Sequence, residues 1–93
     1  MQELRLEDFD GAIGESWEVE AGERSLPLRL LVAQALPRAM RPEGSFRLEW
    51  LGPTDLLLPQ GIYPFRRDGG TAEIFIVPIA QTPDGYRYEA VFN

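Results

Sequence analysis

Apolar and polar residues alternate along much of the chain, and this period-two pattern predicts strands. In SFRLEWL (45–51), apolar side chains occupy every second position, with Arg47 and Glu49 between them. This is the pattern of a strand with one buried and one solvent-facing side. The same alternation in SWEVE (16–20) places Trp17 and Val19 on one face. Both segments are therefore predicted to be strands.

The last quarter of the chain predicts a β-hairpin. Residues 71–80 and 85–92 flank the sequence QTPDG, in which Asp84 and Gly85 supply the positive φ that a tight turn needs. The first arm contains AEIFIVPI (72–79), which is apolar on both parities and predicts a central strand covered on both sides. Pro78 cannot donate a hydrogen bond to a neighbouring strand, so we expect it at a bulge or near the strand end.

The chain ends within the second arm of this hairpin, YRYEAVFN (86–93). Tyr86, Tyr88, Ala90 and Phe92 fall on one parity. The core of so short a chain is thin, so the last strand is needed to complete its packing. We therefore expect this parity to face the core.

Glu89 falls on the opposite parity of the same strand, and two interpretations of it are open. It is either a solvent-facing residue or one partner of a cross-strand ion pair that helps to fix the register. The arginine in such a pair would be Arg66, Arg67 or a neighbour of Arg87 across the hairpin.

Three other segments complete the prediction of secondary structure. GIYPFRR (61–67) is strand-like, and its Pro64 indicates an edge or a bend. Residues 26–36 fit one face of a helix and one face of a strand equally well, and the strand-like segments around them favour a strand. LEDFD (6–10) predicts a short helical turn with Phe9 tucked inward.

Glycine- and proline-rich turn sequences separate these segments at short, fairly regular intervals. Such spacing is typical of β-barrels and β-sandwiches. The prediction is a single all-β domain over residues 1–93, a small antiparallel β-barrel or closed sandwich of six to seven strands. Its terminal strand is expected to leave an open edge, to which a partner could add a strand.

Cysteine, histidine and lysine are all absent from the sequence. Their absence excludes disulfides, thiolate catalysis, histidine-dependent triads, Schiff-base chemistry and metal sites built on cysteine or histidine. EDFDG (7–11) has the beginning of a calcium-binding loop but continues without the side-chain oxygens that an EF-hand needs. We therefore expect no cofactor, no metal site and no enzymatic activity.

The net charge is −6 at pH 7, and the excess lies in residues 1–23, which hold eight acids and one base. An acidic surface repels phosphate groups, so neither nucleic acid nor an anionic membrane surface is an expected partner. The longest apolar stretch, residues 26–36, is too short to cross a bilayer and contains Arg29. Because the N-terminus has no signal-peptide pattern, a soluble cytoplasmic protein is expected.

Three linked motifs resemble an uncharacterised family of small bacterial domains of unknown function. They are GPTDLLLPQGIYPF (52–65), IFIVPIA (74–80) and DGYRYEAVFN (84–93), and FDGAIGESWEVE (9–20) fits the N-terminal segment of that family. The resemblance implies no catalytic residues, because no activity is assigned to the family. It implies an accessory role near phage-tail-like assemblies, because members tend to occur beside genes for phage-tail-collar-like proteins.

These observations favour a non-enzymatic interaction or assembly module that binds a protein partner or a second copy of itself. A small carbohydrate or cell-surface-polymer binding module is an alternative, and it needs Trp17, Tyr63 and Tyr86 to be exposed. The parity of Trp50, Tyr86 and Tyr88 favours the core instead. A carboxylate-only hydrolase is the other alternative, and it needs two facing acids about 5–10 Å apart in a concave pocket.

Overall fold

The computed structural model of the protein describes residues 4–37 and 44–93. Within these ranges, six antiparallel strands form a closed barrel. Two 3₁₀ turns, Leu6–Asp8 and Asp10–Ala12, precede the strands. The strands are β1 (Ser16–Ala21), β2 (Arg24–Ala35), β3 (Phe46–Gly52), β4 (Gly61–Arg67), β5 (Gly70–Thr82) and β6 (Gly85–Phe92). The predicted all-β fold is confirmed. Of the two predicted architectures, barrel and closed sandwich, the structure has the barrel.

The order of the strands around the barrel is β1, β2, β3, β6, β5, β4, and β4 pairs back to β1. The terminal strand β6 pairs with β3 along Tyr86–Phe92 and with β5 along Gly85–Glu89. The expected open edge along the terminal strand is therefore wrong, because β6 has a neighbouring strand on each side. Pro64 lies directly before Phe65 and Arg66, the two residues through which β4 pairs with β1.

The ambiguous segment 26–36 lies almost entirely in strand β2, and a β-bulge explains its ambiguity. The register of β2 with β3 shifts between Leu30 and Val32. Leu28 and Leu30 before the bulge are fully buried, whereas Val32 after it lies opposite Glu49. A bulge adds one residue to a strand and so changes the parity of the side chains that follow it. Because of this change, the apolar residues also fit a helical spacing.

The barrel interior is filled by side chains from every strand, from the N-terminal segment and from the segment between β3 and β4. The fully buried side chains Trp50, Tyr88, Phe46 and Phe65 are the largest. Phe9 enters from the N-terminal segment and is 3 % exposed, which confirms the predicted inward position. The other buried apolar residues are Ala12, Trp17, Val19, Leu26, Leu28, Leu30, Leu48, Leu58, Ile74, Ile76 and Ala90.

Strand β5 differs from the prediction on one of its two faces. Its register with β6 shifts between Pro78 and Ala80, so the expected bulge at the proline is confirmed. Ile74 and Ile76 point into the core, but Phe75 between them is 51 % exposed. The prediction of a strand covered on both sides is therefore wrong, because a single closed barrel has only one buried side and the other faces outward.

The turn between β5 and β6 brings two backbones into close contact. Gly85 has a φ of 145°, and an added Cβ there would lie 1.9 Å from the carbonyl oxygen of Gly52. The Thr82 hydroxyl donates to the Gly85 carbonyl at 2.8 Å and accepts from the Asp84 N–H at 3.2 Å. The predicted hairpin is confirmed, with the left-handed conformation at Gly85.

Candidate interaction surfaces

A network of ion pairs lies on the outer face of β3 and β6. The Arg47 Nε donates to the Glu89 Oε2 at 2.9 Å, and its Nη1 donates to the Gln34 Oε1 at 2.9 Å. The Glu49 carboxylate binds the guanidinium groups of both Arg47 and Arg87. Glu49 is only 8 % exposed, and a buried carboxylate is stable only when paired. The two arginines and two glutamates therefore neutralise one another.

The cross-strand ion pair of Glu89 is present, and its partner is Arg47 on β3. Arg66 and Arg67 belong to β4 and bind acids on or next to β1 instead. Glu89 lies directly opposite Glu49 in the register of β3 and β6. Like charges in that position are destabilising, so Arg47 is needed between them to hold this register.

A second feature of the outer face is an apolar strip, which we call the outer stripe: Ile62, Phe75, Val77 and Val91. Ile62 and Phe75 lie opposite each other on β4 and β5 and are 64 % and 51 % exposed. Val77 lies opposite Glu89, and Val91, two positions beyond Glu89, is 48 % exposed. Exposed apolar side chains that are neighbours on one sheet face are candidates for a binding surface. The outer stripe borders the ion-pair network at Glu89.

The sequence contained a signal for the outer stripe that the prediction did not use. In β5, Glu73 and Phe75 share one parity, and in β4, Ile62 and Arg66 share one parity. A charged residue on a short strand identifies the solvent-facing parity, so both apolar residues belong on the outside. The apolar content of residues 72–79 as a whole hid this alternation.

A cavity of about 190 Å³ lies between the N-terminal segment and the β4–β5 hairpin. We call it the hairpin cavity. Its wall contains the buried aromatic residues Phe9, Trp17 and Phe65, and its rim contains Asp8 and Asp68. The remaining lining residues are Leu4, Arg67, Gly70, Thr71 and Ala72.

The aromatic wall of the hairpin cavity is continuous with the core. Trp17 meets Trp50 edge-on at a centroid distance of 5.0 Å, and Trp50 packs on Phe65 at 4.8 Å. The Arg67 guanidinium lies 4.6 Å from the centroid of the Trp17 ring and also binds the Glu15 carboxylate. Cation–π contact and ion pair together fix Arg67 in place. The Arg67 side chain therefore covers part of the Trp17 ring.

The aromatic residues that the sequence marked as binding candidates are divided between core and surface. Trp17 is 7 % exposed and Tyr88 is fully buried. Tyr63 and Tyr86 are half-buried, and the Tyr63 hydroxyl donates to the Pro59 carbonyl at 2.7 Å. The structure does not bring these four residues together on one exposed surface. The carbohydrate alternative therefore lacks the exposed Trp17 that it needs.

The acidic residues of the hairpin cavity give little support to the alternative of a carboxylate-only hydrolase. Asp8 and Asp68 both line the hairpin cavity, and both residues are exposed. Glycosidases instead place their acid in an apolar enclosure. Within residues 4–37 and 44–93, no three acidic side chains are grouped so that they could hold a metal ion. The same ranges contain no helix with the length and apolar character required to cross a bilayer.

Burial gives Tyr88 an unusual titration. Desolvation raises the pKa of its phenol above the ordinary value, and the Leu58 N–H, which donates to the phenol oxygen at 2.9 Å, opposes that rise. In the unfolded chain, tyrosine has a pKa of about 10. Above that pH the unfolded chain loses the proton that the folded chain retains. The free energy of unfolding is therefore maintained below this pH and falls as the pH rises above it.

The Tyr88→Phe variant is expected to show two changes in urea unfolding. At neutral pH its free energy of unfolding is lower by about 1–2 kcal/mol, because the buried Leu58 N–H no longer has an acceptor. At alkaline pH its stability declines less steeply than that of the wild type. Tyr86→Phe, at a half-buried position, is the control and should leave the alkaline decline in place. An unchanged alkaline decline in Tyr88→Phe would contradict this assignment.

The fold and its surfaces define a small closed antiparallel β-barrel with an outer ion-pair network beside an exposed apolar stripe. Residues 4–92 match a family model described as "Domain of unknown function (DUF6916)". The chain therefore belongs to this family of unknown function. No curated protein matches the chain, and no solved structure matches it either.

Proposed function

We propose that the protein is a non-enzymatic assembly module that binds a second copy of itself through the outer stripe. The exposure of Ile62 and Phe75 as a cross-strand pair carries this proposal. Apolar side chains in this arrangement gain free energy when a protein surface removes them from water. Aromatic residues such as Phe75 are typical of the centres of protein interfaces.

The charge around the outer stripe favours a second copy over a charged partner. The chain has a net charge of −6, and the excess lies in residues 1–23, so two copies that approach through that part of the surface repel each other. Beside the stripe, however, Arg47 and Arg87 are matched by Glu49 and Glu89. Two such neutral surfaces can meet without repulsion between like charges.

The geometry of a sheet face also suits a symmetric dimer. In a two-fold interface the same patch is used by both subunits, so the patch must complement itself. The outer stripe is formed by strands β4, β5 and β6, and its apolar side chains can pack against the same side chains of another copy. A role in phage-tail-like assemblies, which the motif resemblance implies, is part of the proposal, since assembly modules act through such contacts.

The Ile62→Asp variant tests the proposed dimer. Sedimentation velocity should show that the wild type associates as its concentration rises, and the variant should dissociate roughly tenfold more readily or remain monomeric. Its melting temperature should change little, because Ile62 is 64 % exposed and contributes little to the core.

The matched control is Ile13→Asp. Ile13 is also an exposed isoleucine, at 53 %, but it lies in the N-terminal segment and outside the outer stripe. This variant should associate as the wild type does. A wild-type protein that stays monomeric at millimolar concentration would refute the dimer, as would equal effects of the two substitutions.

A further inference from the structure

The barrel is built from two three-stranded meanders that repeat the same pattern of pairing. The first meander contains β1–β3, and the second contains β4–β6. Each begins with a hairpin that has a two-residue turn, and the second strand of each hairpin continues into a β-bulge. Counted from the turn, the sixth pair of the first hairpin is Ser16 and Arg29, and the sixth pair of the second is Ile62 and Phe75. The two hairpins can therefore be compared position by position.

A pseudo-two-fold axis relates the two meanders. Val19 and Phe65 both belong to the third pair from their turns, and they pair with each other across β1 and β4. Glu49 and Glu89 likewise pair with each other across β3 and β6. Each glutamate is the fourth residue of a strand segment that begins with an aromatic residue and an arginine, FRLEWL (46–51) or YRYEAV (86–91). Because a two-fold axis places a residue opposite its own equivalent, the axis passes through both pairs.

The ion-pair network has the same symmetry. Arg47 and Arg87 precede Glu49 and Glu89 by two positions, so each arginine has an equivalent in the other meander. Arg47 binds Glu89, and the equivalent contact, between Arg87 and Glu49, is also present. Side-chain contacts and strand pairing therefore indicate the same axis.

Two of the four positions of the outer stripe are apolar in both meanders. The residue opposite the glutamate on the axis is a valine in each, Val32 or Val77. Two positions beyond that glutamate, each meander has another apolar residue, Leu51 or Val91. The surfaces of the two meanders are therefore alike at these positions.

The other two positions of the outer stripe differ between the meanders. The second meander has the apolar pair Ile62 and Phe75, whereas the first has the polar pair Ser16 and Arg29. All four residues are exposed, and each pair holds the same place in its hairpin. Because the first hairpin adopts the same pairing with polar residues, the barrel does not require an apolar pair at this place.

Two equivalent stripes on one chain would change the kind of assembly. The strands follow the order β2, β3, β6, β5, and each is antiparallel to its neighbour. Strands β2 and β5 are therefore antiparallel and lie on opposite sides of the ion-pair network, so two stripes would extend in opposite directions. A single self-complementary patch closes after two copies, whereas two separate patches let each copy bind two others in an open chain.

We propose that Ser16 and Arg29 are specificity-determining residues that restrict association through the outer stripe to two copies. Arg29 carries a charge at the position equivalent to Phe75, and a contact through this surface would have to bury that charge at a cost in free energy. Unpaired charges placed against an unwanted contact are a common source of specificity. The inference rests on the proposed dimer and assigns a role to a surface outside the outer stripe.

The double variant Ser16→Ile with Arg29→Phe tests this role in the intact chain. It gives the first meander the pair that the second already has, so a second stripe is expected. Light scattering should show an average mass that rises beyond two chains as the concentration increases, whereas the wild type stops at two. The melting temperature should change little, because both positions are exposed and the second hairpin accommodates the same pair.

Two further variants control for nonspecific association. Addition of Ile62→Asp to the double variant disrupts the original stripe, so the average mass should return to no more than two chains. Arg24→Phe with Ser25→Ile changes the same two residue types at exposed positions beside the turn of the first hairpin. These positions lie outside the surface equivalent to the stripe, so this control should associate only to two copies.

Three results would overturn the role of Ser16 and Arg29. The first is large assemblies of equal extent in the control beside the turn, since any added apolar pair would then suffice. The second is a double variant that stops at two copies while the wild type dimerises, which refutes this role and leaves the outer stripe intact. The third is a wild type that remains monomeric, which refutes the outer stripe itself and this role with it.

Discussion

A chain that lacks residues 86–93 is expected not to fold. The deletion removes Tyr88 and Ala90, which are 0 % and 2 % exposed, and leaves β3 and β5 without the strand between them. Each fully buried large side chain contributes about 1.5–3 kcal/mol, and the edges of two strands lose their hydrogen-bonding partners. A small domain has a total stability of only about 5–15 kcal/mol. Circular dichroism should therefore show no cooperative melting.

Removal of Asn93 alone is the matched control for this truncation. Asn93 is exposed and lies beyond the end of β6, so its loss should leave the melting temperature unchanged. If the long truncation melted at the wild-type temperature, β6 would not be required to close the barrel.

The Gly85→Ala substitution is expected to have the largest effect of any change by one methyl group. The added Cβ would lie 1.9 Å from the Gly52 carbonyl oxygen and 3.1 Å from its carbonyl carbon. These are backbone atoms of β3, so relief of the clash requires β3 and β6 to separate. The left-handed φ of Gly85 adds backbone strain to this clash. We therefore expect the free energy of unfolding to fall by about 4 kcal/mol or more, which is exceptional for a point mutation. Urea unfolding measures it directly.

Gly22→Ala separates the two causes. Gly22 also has a left-handed φ, at 66°, but no atom lies within 4 Å of an added Cβ. Its cost is limited to the backbone strain, about 1–2 kcal/mol. If Gly85→Ala were no less stable than Gly22→Ala, the close approach of Gly52 and Gly85 would contribute nothing to the loss of stability.

Local patterns in the sequence predicted most of the strands and much of the core. Alternation correctly placed Trp50 and Tyr88 inside, because a strand with one solvent-facing side has apolar and polar residues in turn. Pro78 predicted a bulge because it lacks an N–H to donate. These features depend only on neighbours along the chain.

What the sequence did not predict depends on residues far apart in the chain. Closure of the barrel pairs β1 with β4 and β3 with β6, and no local pattern indicates which strands meet. The partner of Glu89 is Arg47 for the same reason: β3, rather than the nearby hairpin, supplies it. The hairpin cavity also combines the N-terminal segment with β4 and β5, so its acids had no recognisable spacing.

The order of the strands has a consequence for how the chain folds. Strands β1, β2 and β3 form one meander of consecutive hairpins, and β4, β5 and β6 form another. Hairpins form in about 1–10 μs, whereas pairing between distant segments is slower because a long loop must close first. The two meanders meet along the β3–β6 seam, where Trp50 faces Tyr88, and along the β1–β4 seam. We therefore expect their docking, rather than the formation of either meander, to be the slow step of folding.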